Sequence, residues 1–254
     1  LNEVDFQRRF AGVRRLYGDD ALARFGQAHV CVIGIGGVGS WAAEALARNA
    51  VGRITLIDLD NIAESNVNRQ LHAVDGAFGK AKVTAMAERI RSINPQCKVF
   101  EVEDFVTPEN AVTLLANDCD VVLDAIDDAK AKVAIAAYCR LHKQPLVMTG
   151  GAGGRLDPVR MQTADLAKTT GDRLLAKVRN QLRRDHGFPK GDKARFGIPC
   201  IYSDEQVHKP HSENCDADSA LTGLNCAGYG STVCVTAPFG MAAAALVLNH
   251  LRKS

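Results

Sequence analysis

The run Gly34-Ile35-Gly36-Gly37-Val38-Gly39 leaves this chain few folds to choose from, because it joins an apolar segment to an amphipathic one. His29–Gly34 reads as a short buried strand, and Gly39–Asn49 reads as a helix that opens on glycine. Glycines at such a turn let the backbone close on a phosphate. The helix N-terminus behind them offers N–H groups and the positive end of its dipole. A strand, glycine loop and helix in this order belong to a parallel sheet that binds a nucleotide at its strand ends.

The rest of the first half repeats the alternation. Arg53–Asp58, Lys98–Val102, Asp120–Asp124 and Leu146–Thr149 read as strands, with helices over Gly79–Ile93, Pro108–Ala116 and Ala129–His142. Strands and helices joined so closely predict an α/β, Rossmann-like domain: a mostly parallel sheet with helices on both faces. After Gly150-Gly151-Ala152-Gly153-Gly154 the pattern changes. Arg155–Asp165 alternates around Pro158, which predicts antiparallel or edge strands in the C-terminal part. Residues 204–230 are polar and predict a mobile loop over the site. Val233–Leu248, with Pro238 and Gly240 inside it, reads as a buried C-terminal helix; a membrane anchor is the alternative. The expected organisation is one domain, 1–254. It has a helical arm (1–28), a nucleotide-binding core (29–154) and an extension (155–254) holding the antiparallel structure, a basic segment, the loop and the last helix.

The chain has 254 residues and a net charge of +2, so its overall charge selects no partner. Its distribution is less even: Lys and Arg outnumber Asp by six between residues 168 and 195. The 8 cysteines show no Cys-x-x-Cys pair, which argues against a zinc site, and several lie in apolar runs where a free thiol packs as a small hydrophobe. These features, with a start that lacks a signal-peptide core, suit a reducing cytosol.

Asp58 ends the second strand, where a carboxylate grips ribose hydroxyls. With the glycines alone, that favours a nicotinamide dinucleotide. The following residues point elsewhere: Asp60, Ser65-Asn66-Val67-Asn68-Arg69-Gln70, Gly79-Lys80-Ala81-Lys82 and Asp124-Ala125-Ile126-Asp127. Hydride transfer has no requirement for a cation cluster. Attack of a carboxylate on the α-phosphorus of ATP moves charge onto departing pyrophosphate, which calls for Arg and Lys there and a carboxylate to hold Mg2+. Arg69 and Lys82 suit the first task and Asp127 the second.

This ordered set resembles the ubiquitin-activating-enzyme-like superfamily, which includes the adenylyltransferases of molybdopterin and thiamine biosynthesis. The resemblance implies that Gly34, Gly36, Gly37, Gly39, Asp58, Asp60, Asn66, Arg69, Lys82 and Asp127 serve the nucleotide or its Mg2+. Arg69, Lys82 and Asp127 would be the catalytic group. The superfamily's N-terminal Arg-aromatic-x-Arg run lends an arginine across a homodimer. Here its fourth position is Gly12, leaving Arg9 and Arg14 as candidates.

Further segments narrow the resemblance: Arg9–Gly18, Gly36–Ala47, Glu103–Pro108, Thr149–Gly154, Thr163–Thr169 and Asn225–Gly230. They are similar to the cysteine-desulfurase-linked tRNA threonylcarbamoyladenosine dehydratases. That family implies ATP-dependent adenylation of a threonyl carboxylate on tRNA, then ring closure by the substrate's own urea-like group with release of AMP. It implies tRNA as substrate, with Lys177, Arg179, Arg183 and Arg184 as candidate phosphate contacts, and a desulfurase or sulfur acceptor as a possible partner. Cys226 is either a sulfur-accepting or active-site thiol or a packing residue; ring closure needs no thiol, which favours packing. The alternatives are an adenylyltransferase for a ubiquitin-like sulfur carrier, a nicotinamide oxidoreductase, and a non-catalytic scaffold of a sulfur relay.

Overall fold

A computed structural model describes residues 5–116, 118–208 and 229–253. The chain enters through three short helices, α1 (Phe6–Arg9), α2 (Ala11–Tyr17) and α3 (Asp19–Gln27). It then alternates through β1 (His29–Ile33), α4 (Gly39–Arg48), β2 (Arg53–Ile57), α5 (Lys82–Ile93), β3 (Lys98–Val102) and α6 (Ala111–Leu115). β4 (Val121–Asp124), α7 (Ala129–Leu141) and β5 (Leu146–Thr149) complete the alternating half. The extension adds β6 (Met161–Asp165), α8 (Arg173–Asp185), β7 (Pro199–Ser203) and α9 (Val233–Leu251).

The sheet order is β3-β2-β1-β4-β5-β7-β6, with neighbours parallel except the antiparallel β6–β7 pair. All five residues of β1 are buried because helices cover both of its faces. Val30 and Val32 face one core, where Leu46 of α4, Met86 and Ile90 of α5 and Phe239 and Val247 of α9 meet. Cys31 and Ile33 face the other, with Val133 and Ile135 of α7 and Leu175, Val178 and Leu182 of α8.

The α/β class and the antiparallel edge are as the sequence predicts, with local differences. The helix expected from Gly79 starts at Lys82, since Gly79 has φ +81° and Ala81 instead pairs with Asn61 in a β-bridge. Only the second half of 155–165 is strand; Pro158–Arg160 forms a 3-10 turn. β7, a strand that the hydrophobic pattern does not mark, joins β6 to the parallel sheet. α9 is long and apolar enough to cross a membrane by length and composition. Nevertheless Val235, Phe239, Ala243, Val247 and Leu251 sit in the core, and Gly240 lets its backbone approach Val38, which caps α4, and Ala42 within α4 closely.

Candidate active site

β1 and β4 are adjacent, but the chain leaves them for opposite sides of the sheet, so the loops after them diverge and open a crevice. The glycine loop forms one wall. Gly34 adopts φ +84°, and a Cβ there would lie 2.8 Å from Ile126 of the opposite loop. A Cβ on Gly39 would overlap the Gly34 carbonyl oxygen, so only glycine lets α4 start this close to the strand. The crevice is a cleft of about 490 Å³.

Each wall is built from short-range bonds. Asp58 sits at the end of β2 and is 8% exposed. Its carboxylate accepts the Ile35 N–H at 2.7 Å and the Asp60 N–H at 2.9 Å, which fixes the glycine loop against the β2 loop. Burial raises the Asp58 pKa, and the nearby Lys82 charge opposes that rise. Because α5 begins at Lys82, its ammonium projects back to this carboxylate, 2.6 Å from Asp60 and 3.8 Å from Asp58. Arg69 is half-buried; burial lowers its pKa while Asp127 opposes the shift, which places the two charges within each other's field. Its guanidinium donates to the Ser65 carbonyl and Asn68 Oδ1, and the Trp41 indole N–H donates to the Arg69 backbone carbonyl.

Of the residues expected to serve a nucleotide, Gly34, Gly36, Gly37, Asp58, Asp60, Arg69, Lys82 and Asp127 line this one cleft. Gly39 and Asn66 do not: Gly39 lies behind the loop, and Asn66 Oδ1 is occupied by the Ala63 N–H at 3.0 Å. Both shape the wall. Among the basic candidates, Lys177 and Arg184 are exposed. Arg179 is turned inward, donating to the Thr169 carbonyl at 2.7 Å and hydroxyl at 2.8 Å. Arg183 donates to the Pro189 carbonyl and lies over the Phe196 ring. Those two cations are spent on holding α8 to the turns beside it, a use that charge counting does not see. Arg9 donates to the Ile93 carbonyl at the end of α5, and Arg14 faces Asp19.

Residues beyond those the sequence motifs assign to the nucleotide also line the cleft. Gln70 and Thr236 face the glycine loop, and Gln70 Oε1 and Thr236 Oγ1 are buried with no hydrogen-bond partner among the described residues. Gln70 had a signal, its place beside Arg69; Thr236 had none. Phe105 and Thr107 contribute a further wall, and Gly150, Gly153, Tyr229 and Ser231 another. Gly154 fastens both flanks of the expected loop, accepting from His208 N–H and donating to the Gly230 carbonyl. The loop's middle, with Cys226, lies outside the described residues.

A family model described as the ThiF family matches residues 7–249. The tRNA threonylcarbamoyladenosine dehydratase of Escherichia coli K12 is 48% identical over 97% of this chain and 94% of its own. The Haemophilus influenzae protein of that name is 46% identical over 98% and 95%. The crystal structure of the E. coli dehydratase in complex with ATP superposes with TM-score 0.88 at 46% identity, covering 99% of this chain and 96% of that one.

Proposed function

The chain belongs to the ThiF family, and from that premise we propose that it is an ATP-dependent tRNA threonylcarbamoyladenosine dehydratase. The observation that carries this reading is the convergence of Asp58, Arg69, Lys82 and Asp127 on one glycine-walled cleft. Relatives over nearly the full length carry that name, and the similar E. coli structures hold ATP and AMP.

In this reading Asp58 receives the ribose hydroxyls, since each of its oxygens keeps a lone pair beyond the backbone N–H it already accepts. Gly36 and Gly37 let the backbone reach the phosphates. The threonyl carboxylate attacks the α-phosphorus, forming a C–O–P linkage and expelling pyrophosphate. Arg69 and Lys82 stabilise the charge gathering on that leaving group, Lys82 exchanging Asp60 for phosphate. The substrate's urea-like group then attacks the activated carbonyl and loses its proton, and AMP departs with the carboxylate oxygen. Both reacting groups belong to one molecule, so the second step rests on orientation.

Mg2+ fits the site. Asp127 offers a carboxylate to the cleft, while among the described residues no cluster of three His, Cys, Asp or Glu side chains forms a metal cage. A magnesium ion held by one carboxylate and the phosphates is the usual arrangement at nucleotide sites. When bound, it neutralises phosphate charge. The retained N-terminal arm supports a homodimer. A desulfurase or sulfur-acceptor partner rests on the family resemblance, and the cytoplasm is the compartment of a tRNA-modifying enzyme.

The test is incubation with MgATP and tRNA carrying threonylcarbamoyladenosine, followed by mass spectrometry of the nucleosides. A water-sized mass loss with one AMP per modified base is expected. An unchanged nucleoside with competent tRNA contradicts the assignment. Adenylation of a sulfur-carrier tail instead would favour the adenylyltransferase alternative.

A further inference from the structure

α8 begins at the wall of the cleft. Its N-cap, Asp172, accepts the Leu175 N–H at 2.9 Å and, through its other oxygen, the Gly151 N–H at 2.9 Å. Gly150, next to that contact, lines the cleft. From there the helix runs outward with Leu175, Val178 and Leu182 buried beneath it.

Its outer face is one row: Arg173, Lys177, Asn180 and Arg184 are all exposed and follow at helical spacing. The cations near the cleft are poorly explained by helix stability. Arg173 is the first helical residue, at the positive end of the helix dipole, and no acidic residue occupies that first turn. Lys177 stands four residues on, where like charges repel. Among the described residues neither is in an ion pair, and of the nine cations between 168 and 195 only Arg184 is, with Asp185. Arg179 and Arg183, by contrast, have evident structural uses.

We propose that Arg173, Lys177 and Arg184 form a phosphate track leading the RNA strand away from the cleft, with Arg173 nearest the reacting base. The proposal rests on the tRNA reading above and deepens it: it fixes which face of which helix meets the polyanion. Along the axis Lys177 stands roughly 6 Å from Arg173 and Arg184 roughly 10 Å beyond it, so the row spans about 16 Å. That length suits a few consecutive phosphates of one strand. Such contacts position the substrate without reading its sequence.

The test compares the full-length parent with the Arg173→Ala/Lys177→Ala double variant and with Arg179→Ala. Binding and dehydration of threonylcarbamoyladenosine-containing tRNA are measured across a series of KCl concentrations. For the double variant we expect KM for tRNA to rise about tenfold or more. The slope of log affinity against log salt should fall by roughly 1.4–1.8, on the order of 0.7–0.9 per lost phosphate contact. KM for ATP should stay within twofold, which reports an intact cleft. Arg179→Ala should lower Tm and leave the salt slope alone. If the parent dehydrates tRNA and the double variant matches its KM and slope, the track is wrong and the function stands. If the parent neither binds nor alters the tRNA, both are wrong.

Discussion

Lys82 and Lys132 each meet an aspartate near the carboxyl end of a strand flanking β1, 2.6 Å from Asp60 in one case and 2.9 Å from Asp124 in the other. Their surroundings differ. Lys132 and Asp124 have 0% side-chain exposure, whereas Asp60 is 53% exposed. Asp124 also accepts the Ile126 N–H at 3.1 Å, and so shapes the loop that carries Asp127. The sealed pair has no access to a ligand and works as scaffold. The open pair lines the cleft, where phosphate can compete for the lysine. The same two residue types take different roles because water reaches one site and not the other.

The largest expected effect is at Lys132. Lys132→Ala strands a buried carboxylate, and we expect a loss of about 3–5 kcal/mol in urea unfolding. Replacing both partners, Asp124→Leu with Lys132→Met, should recover most of it. Lys82→Ala should reverse the balance. Its stability loss should be smaller, about 1–2 kcal/mol, because Asp60 is solvated and the buried Asp58 keeps its bonds from the Ile35 and Asp60 N–H groups. AMP release in the presence of tRNA should fall by roughly 10²–10³-fold. Equal stability losses at the two lysines would undo the distinction.

The charge on Lys82 also reaches His72, whose ring nitrogens are buried with no hydrogen-bond partner among the described residues. Burial and that charge lower the His72 pKa from 6.5 to about 4. The folded state therefore refuses a proton that the unfolded chain accepts. Stability should hold above about pH 6.5 and fall as pH drops toward 4, by at most ~1.4 kcal/mol per pH unit. His72→Leu should flatten that limb in pH-dependent unfolding. Asp58 and Asp124, with raised pKa values, act in the opposite sense: their contribution favours the fold at low pH and is lost as pH rises through their folded pKa. The smallest expected effect is at Trp41. Trp41→Phe removes the bond to the Arg69 carbonyl, costing about 1 kcal/mol and raising KM for ATP a few-fold.

The sealed pair also marks the limit of what the sequence reveals. Asp58, Arg69, Lys82 and Asp127 are legible because their spacing follows strand ends and helix starts, which the hydrophobic pattern locates. Lys132 gives no such signal: it reads as one more cation of an amphipathic helix, and only packing seals it. Arg179 and Arg183 mislead for the related reason that their carbonyl and ring partners come from turns the pattern does not describe. β7 escaped because five residues following a polar, basic stretch carry too little periodicity. The fold's parallel half is written in local alternation, while its extension depends on contacts distant in sequence.

Adenylation in the open cleft leaves an oxygen of the substrate carboxylate on the AMP that departs. The decisive measurement supplies tRNA whose threonylcarbamoyl carboxylate carries oxygen-18, with MgATP, and weighs the nucleotide released. One labelled oxygen is expected in AMP, carried off when the ring closes. Unlabelled AMP, or label appearing in inorganic phosphate alongside ADP, would contradict adenylation.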